Sequence, residues 1–155
     1  MPKAPSVTIA VLTYLRPDDI GAALPRLLEQ AQKYGGRAQI LVVDNDPEGS
    51  AESMVSKFAG AQLHYVVEPT PGIAAARNRA INESETDLLV FIDDDERPTP
   101  DWLRHLVTTF EKHPATFGVA GSVQSEFAGE PDPWIIAGGF FERLNPPTGT
   151  QLQAV

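Results

Sequence analysis

Leu88-Leu89-Val90-Phe91-Ile92-Asp93-Asp94-Asp95-Glu96 decides the fold: an apolar run gives way, without a spacer, to four consecutive acidic residues. The apolar part is short, continuous and rich in branched and aromatic side chains, which suits a strand buried on both faces. Carboxylates crowded at a strand end repel one another, and this costs stability unless a cation sits among them. In extended backbone Asp93 and Asp95 face one side and Asp94 the other. Oxygen ligands so placed suit a hard divalent ion, Mg²⁺ or Mn²⁺, which takes one or two carboxylates and completes its shell with water and substrate phosphates. A solvated loop capping the next helix is the plainer account of a lone aspartate. Three in a row behind the most apolar strand favour a site instead.

Outward from this point the chain alternates between two hydrophobic periods. Val7, Ile9, Val11 and Leu12 read as a strand closed by Arg16-Pro17, and Ile20, Ala23, Leu24, Leu27, Leu28 and Ala31 recur at helical spacing until Gly35-Gly36. Ile40 to Val43 predicts a second strand ending at Asp44-Asn45-Asp46-Pro47, followed by a shorter helix through Ala51, Met54, Val55 and Phe58. Leu63 to Val67 predicts a third strand, Ile73 to Asn82 an alanine-rich helix behind Pro69-Thr70-Pro71-Gly72, and Leu88 to Ile92 the fourth strand. Trp102, Leu103, Leu106, Val107 and Phe110 predict a helix stopping before Pro114, and Phe117 to Ala120 a fifth strand. The alternation implies an α/β domain with a mainly parallel sheet, helices on both faces and right-handed crossovers. Its expected extent is 1–122. Residues 123–155, rich in Gly and Pro, are expected to begin a second, incomplete region that runs to Ala154-Val155 without a stop signal, as in a fragment.

In parallel sheets ligands bind beyond the carboxyl ends of the strands. Here those ends are Thr13-Tyr14, Asp44-Asn45-Asp46, Glu68 and the Asp93-Asp94-Asp95 run. With 155 residues, 42% of them apolar, the chain can bury one sizeable core. A net charge of -9 with no basic cluster argues against nucleic acid, and a phosphorylated ligand would need a metal or a few well-placed cations. The absence of cysteine excludes disulfides and thiolate chemistry. No stretch approaches the roughly 20 apolar residues of a membrane span, and the run at Val7–Leu15 lacks a cleavage site, so a cytoplasmic location, with possible peripheral contact to the inner membrane face, is the expectation.

Over about its first 120 residues the sequence resembles the N-terminal portion of family 2 glycosyltransferases. The resemblance rests on Val7-Thr8-Ile9-Ala10-Val11-Leu12-Thr13-Tyr14, on Val42-Val43-Asp44-Asn45, on Gly72-Ile73-Ala74-Ala75-Ala76-Arg77-Asn78, and on Phe91-Ile92-Asp93-Asp94-Asp95 followed by Pro98, Pro100 and Trp102. It implies the GT-A fold, a Rossmann-like α/β sheet, and transfer from a nucleotide-sugar donor, most often a UDP-sugar, to a sugar or lipid-linked acceptor hydroxyl with inversion. By position it implies that Thr13 and Tyr14 border the nucleotide, that Asp44 accepts from the base, and that Arg77 contacts base or phosphate. Asp94 would lie near the ribose or sugar. Asp95 would be the principal Mn²⁺ or Mg²⁺ ligand, with Asp93 in support.

A general base is also implied, in a later acidic motif that this chain does not reach. Glu126, Glu130, Asp132 and Glu142 are the late carboxylates present, and none matches that motif, so no catalytic residue is assigned. Each site residue also has a plainer reading: Asp44 as a turn former, Tyr14 as core, Arg77 and Arg79 as solvated helix residues. His64, His105 and His113 are read as structural or solvated, Trp102 as core, and Trp134 as either packing or the border of an acceptor sugar. A dinucleotide dehydrogenase would need a glycine-rich turn after the first strand, where Tyr14-Leu15-Arg16-Pro17 stands. A P-loop nucleotidase would need a Gly-Lys-Ser/Thr run, and a haloacid-dehalogenase-like phosphatase a Gly-Thr after its aspartates. The competing reading from another class is a non-catalytic module that keeps the donor pocket.

Overall fold

Four short apolar runs pair in the computed structural model, which describes residues 4–58, 60, 62–143 and 145–151, as one parallel sheet. The terminal Ala154-Val155 lie outside the described residues. The strands are β1 (Val7–Thr13), β2 (Ala38–Asp44), β3 (Leu63–Val67) and β4 (Leu88–Asp93), in the order β3-β2-β1-β4. Helix α1 (Pro17–Lys33) joins β1 to β2, α2 (Glu52–Val55) with a short 3-10 turn at Ser56–Phe58 joins β2 to β3, and α3 (Ile73–Glu83) joins β3 to β4. The chain divides into two compact units, Met1–Arg104 and His105–Val155, the boundary falling within α4 (Trp102–Lys112). In the second unit α5 (Pro133–Ala137) is a single short helix.

Period and burial agree in the first unit. Ile20, Ala23, Leu24, Leu27 and Ala31 of α1 are buried, as their helical spacing requires, and Val7, Ile9, Ala10 and Val11 of β1 are fully enclosed, as expected of a central parallel strand. Ala10 on β1 and Leu41 and Val43 on β2 share a core cluster with Ala76 and Ala80 of α3, whose small side chains form the buried part of that helix. Gln30, the one buried polar residue of α1, donates from Nε2 to the Thr99 carbonyl at 3.3 Å and accepts on Oε1 from the Leu103 amide, also at 3.3 Å. It thereby fixes the segment following the acidic run against α1.

Two expectations need correction. The run at Phe117 to Ala120 is not a strand: it has no sheet partner, and Phe117 projects fully into solvent, so β-branched or aromatic composition without a neighbouring edge is not enough. β4, the most apolar strand in sequence, is not enclosed either. It forms the edge of the described sheet beyond β1, and Phe91 is 40% exposed.

Candidate functional site

The parallel register brings the polar strand ends to one rim. Thr13 lies opposite Asp44 and Leu12 opposite Asp93, while Asp44 lies opposite Val67. The chain runs outward from β1 through β2 to β3 on one side and places β4 on the other, so the strand order reverses between β1 and β4. Such a reversal opens a crevice at the carboxyl ends of the two strands. Thr13, Arg16, Asp93, Asp94 and Asp95 all belong to this crevice.

Asp94 is its anchor. The side chain points inward and is buried, and Thr13 Oγ1 donates to its Oδ2 at 2.7 Å. Its Oδ1 faces Arg16 Nη1 at 3.3 Å, and the same Nη1 lies 3.3 Å from Asp95 Oδ2. Asp93, the last residue of β4, and Asp95 are exposed on either side of buried Asp94, and Asp94 and Asp95 form a turn where the sequence suggested extended backbone. The Glu96 amide closes this turn by donating to the Asp93 carbonyl at 3.1 Å, and the Asp93 amide donates to Glu96 Oε2 at 3.3 Å. Among the described residues no three carboxylate or histidine side chains converge as a complete ion cage. Two exposed carboxylates are as many as a Mg²⁺ or Mn²⁺ shared with a phosphorylated ligand commonly takes from its protein, water and phosphate oxygens filling the rest of the shell.

Burial pushes the Asp94 carboxyl above the usual carboxylate range, while the Thr13 hydroxyl and the Arg16 charge pull the other way. The folded chain therefore holds a proton on Asp94 in a window where the unfolded chain has released it. Stability from this one group is present below that window and declines as pH rises through it, opposite to an ion-paired surface carboxylate. Thr13→Val removes the opposing hydrogen bond and is expected to move the Asp94 titration still higher in a carboxyl-carbon NMR titration. An unchanged or lowered midpoint would mean that the hydroxyl does not govern this group.

Asp44 is engaged on both oxygens. Its side chain is fully buried, Oδ1 accepts from the Asp46 amide at 3.0 Å, and Oδ2 accepts from the Ala51 amide and from Tyr65 Oη, each at 2.8 Å. Burial, with the same bond, raises the Tyr65 phenol well above its ordinary value. Asp46 repeats the motif one step on, accepting from the Glu48 amide at 3.1 Å. Because this carboxylate is fully buried, a base N–H could donate to Asp44 only if the segment packed over it moved aside. Asn45 is tied as completely: Nδ2 donates to the carbonyls of Glu68 and Thr70 at 2.8 and 2.7 Å, and Oδ1 accepts from the Gly72 amide at 2.9 Å. Gly72 has φ 115° and ψ 145°, a conformation open in practice only to glycine, and it hands the chain to α3.

The remaining residues separate clearly. Tyr14 is 57% exposed and is therefore no part of the core. Arg77 is exposed on α3, whereas Arg79 is paired with Glu83 at 2.9 Å. His64 and His105 are exposed. Trp134 is 64% exposed, edge-on to Phe140 and donating to Asp132 Oδ2 at 3.3 Å, within the second unit. Glu126, Glu130, Asp132 and Glu142 are all exposed. Arg16, Asn45 and Tyr65 were not singled out in sequence. Arg16 carried a signal, a cation at the mouth of the β1–α1 connection, but nothing in one sequence says that the chain brings it back to residues 94 and 95.

Two cavities lie elsewhere. One of about 660 Å³, bordered by Ser6, Arg37, Gln39, Gln62, Thr86 and Asp87, opens at the amino ends of the strands, and another of about 280 Å³ lies within the second unit around Phe127, Ile135 and Phe141. No helix among the described residues is long and apolar enough to cross a membrane.

Comparison with known proteins bears on this arrangement. The model of glycosyl transferase family 2 matches residues 8–153. The succinoglycan biosynthesis protein ExoM of Rhizobium meliloti is 32% identical over 141 residues, covering 89% of this chain and 45% of that protein. Among solved structures, the mannosyltransferase PcManGT of Pyrobaculum calidifontis, in complex with GDP-Man and Mn²⁺, is similar with a TM-score of 0.60 and 28% identity over 68% of this chain and 32% of that one. TarS of S. aureus, in complex with UDP-GlcNAc, shares the fold with a TM-score of 0.59 and 22% identity over 70% of this chain and 32% of that one. The chain thus spans less than half the length of the curated relatives it matches.

Proposed function

Because the chain belongs to glycosyl transferase family 2 and carries its GT-A-type parallel sheet, we propose that it binds the diphosphate of a nucleotide-sugar donor at the crevice between β1 and β4, with a divalent cation at Asp95. The observation that carries this reading is the Thr13–Asp94 bond across the point where strand order reverses. It fixes one aspartate inward and leaves Asp93 and Asp95 exposed on the rim. That PcManGT holds GDP-Man with Mn²⁺ supports the same chemistry in a relative.

Each residue has a part that its geometry can perform. Asp95, whose side chain is 60% exposed, is the principal ligand for Mn²⁺ or Mg²⁺, and exposed Asp93 supports it from the end of β4. When bound, the ion supplies Lewis-acid neutralisation of the departing diphosphate. Thr13 and Asp94 set the depth of the crevice, and exposed Tyr14 borders the nucleotide. Arg77, uncommitted on the exposed face of α3, reaches base or phosphate with a guanidinium fork. Asp44 shapes the rim by holding the 45–51 segment, and base contact through this buried carboxylate requires that segment to move aside. The acceptor is a sugar or lipid-linked hydroxyl that attacks with inversion at the anomeric carbon, and no residue is assigned as its general base.

Melting the protein in the presence of UDP, GDP and their sugars, with and without Mn²⁺, tests the reading. A ligand at about 100 times its Kd stabilises by roughly 2.7 kcal/mol, or about 5–10 °C in a chain of this size. One nucleotide is expected to give such a shift in Mn²⁺ and a smaller one in its absence. No shift with any nucleotide would remove the donor-site assignment and leave a structural module.

A further inference from the structure

Arg16 is a cationic side chain that the fold brings to the acidic turn. Its Nη1 sits 3.3 Å from Asp94 Oδ1 and 3.3 Å from Asp95 Oδ2, so one guanidinium nitrogen is shared between the inward and the outward aspartate. The two carboxylates are not equivalent. Asp94 is held from its other oxygen by Thr13 at 2.7 Å and is buried, whereas the Asp95 side chain is 60% exposed. Arg16 itself is 53% exposed and reaches the turn from the short β1–α1 connection, in which Leu15 adopts a left-handed φ of 55°. A non-glycine residue is seldom found in that conformation, and its presence here turns the chain sharply so that Arg16 stands at the head of α1. Both contacts lie at the long end of the hydrogen-bond range, and ion pairs this open to water are weak and readily exchanged.

We infer that Arg16 is the resident counterion of the acidic turn, excluding a divalent cation from Asp95 until the donor's diphosphate draws its guanidinium away, so that metal and nucleotide bind cooperatively through this side chain. The inference rests on the donor-site reading above and adds a positioning residue to it. A guanidinium loses little on leaving two long contacts with carboxylates for the oxygens of a diphosphate, which it can grip in a fork. The Asp95 carboxylate is then free for the cation at the moment when phosphate oxygens are available to complete its shell. Linkage makes the effect reciprocal: the cation must strengthen nucleotide binding by the same factor as the nucleotide strengthens cation binding.

Three proteins separate the possibilities: wild type, Arg16→Gln and Arg16→Lys. Free Mn²⁺ is followed by electron paramagnetic resonance, and UDP and GDP are titrated calorimetrically with and without Mn²⁺. Arg16→Gln is expected to bind Mn²⁺ alone several-fold more tightly and to lose most of the cooperativity, on the order of tenfold. Arg16→Lys keeps a charge at the turn and is expected to hold Mn²⁺ alone near the wild-type affinity while binding the nucleotide less tightly for want of the fork. A merely structural role for Arg16 would move neither Mn²⁺ affinity upward nor the metal-nucleotide coupling. Unchanged or weaker Mn²⁺ binding in Arg16→Gln, coupling equal to wild type, or a lysine variant indistinguishable from glutamine in Mn²⁺ binding would overturn the inference and leave the donor site standing. Wild-type protein that binds neither nucleotide in Mn²⁺ would remove both.

Discussion

Asp44→Ala is expected to cost about 3 kcal/mol of stability and to lower Tm by roughly 10 °C, the largest stability effect of any single change at the rim. The carboxylate is fully buried and receives the amides of Asp46 and Ala51 and the hydroxyl of Tyr65. Truncation leaves two backbone donors and a phenol without partners in the interior, and each unsatisfied group carries its own desolvation cost. Tyr65→Phe makes the contrast, because it removes one donor and leaves the carboxylate with two. About 1 kcal/mol is expected there. Thermal and urea melts of the two variants measure both numbers, and equal losses would mean that the backbone contacts contribute nothing.

Asp95→Ala is expected to do the reverse: stability within about 0.5 kcal/mol of wild type, and complete loss of the Mn²⁺-dependent part of nucleotide affinity. Its side chain is 60% exposed and its contact with Arg16 is long and half-solvated, so folding draws little from it. Asp93→Ala should weaken the metal-dependent part without abolishing it, since Asp93 is exposed at the end of β4 and plays the supporting role. Should both variants keep the full Mn²⁺ enhancement, the cation would sit elsewhere and the acidic run would be a solvated turn.

The sheet was legible because period and burial are governed by the same geometry. Alternating helical and continuous apolar patterns placed β1 to β4 and α1 to α4 within about three residues of their observed ends, the stretch to Phe58 closing as a 3-10 turn after α2 ends at Val55. The run at 117–120 failed because strand formation depends on a partner edge that composition does not report. The rim was legible at the level of which residues end the strands, since parallel register lines up Thr13, Asp44 and Asp93 once the strands are known. It was not legible at the level of which carboxylate faces inward to a partner. Asp44 and Asp94 look like Asp46 and Asp95 in sequence. Asp44 is distinguished by the return of Tyr65 and Ala51, and Asp94 by Thr13 and Arg16, from as many as 81 residues away in the chain. Asn45 was hidden for the same reason, its three bonds closing on a loop more than 20 residues downstream.

Calorimetric titration of the unaltered protein with UDP and with GDP, each in the presence and absence of Mn²⁺, bears most directly on the claim that a cation links the turn after β4 to a donor diphosphate. At least one nucleotide is predicted to bind about tenfold or more tightly with the metal, a difference of about 1.4 kcal/mol. Equal affinities in the two conditions would contradict it.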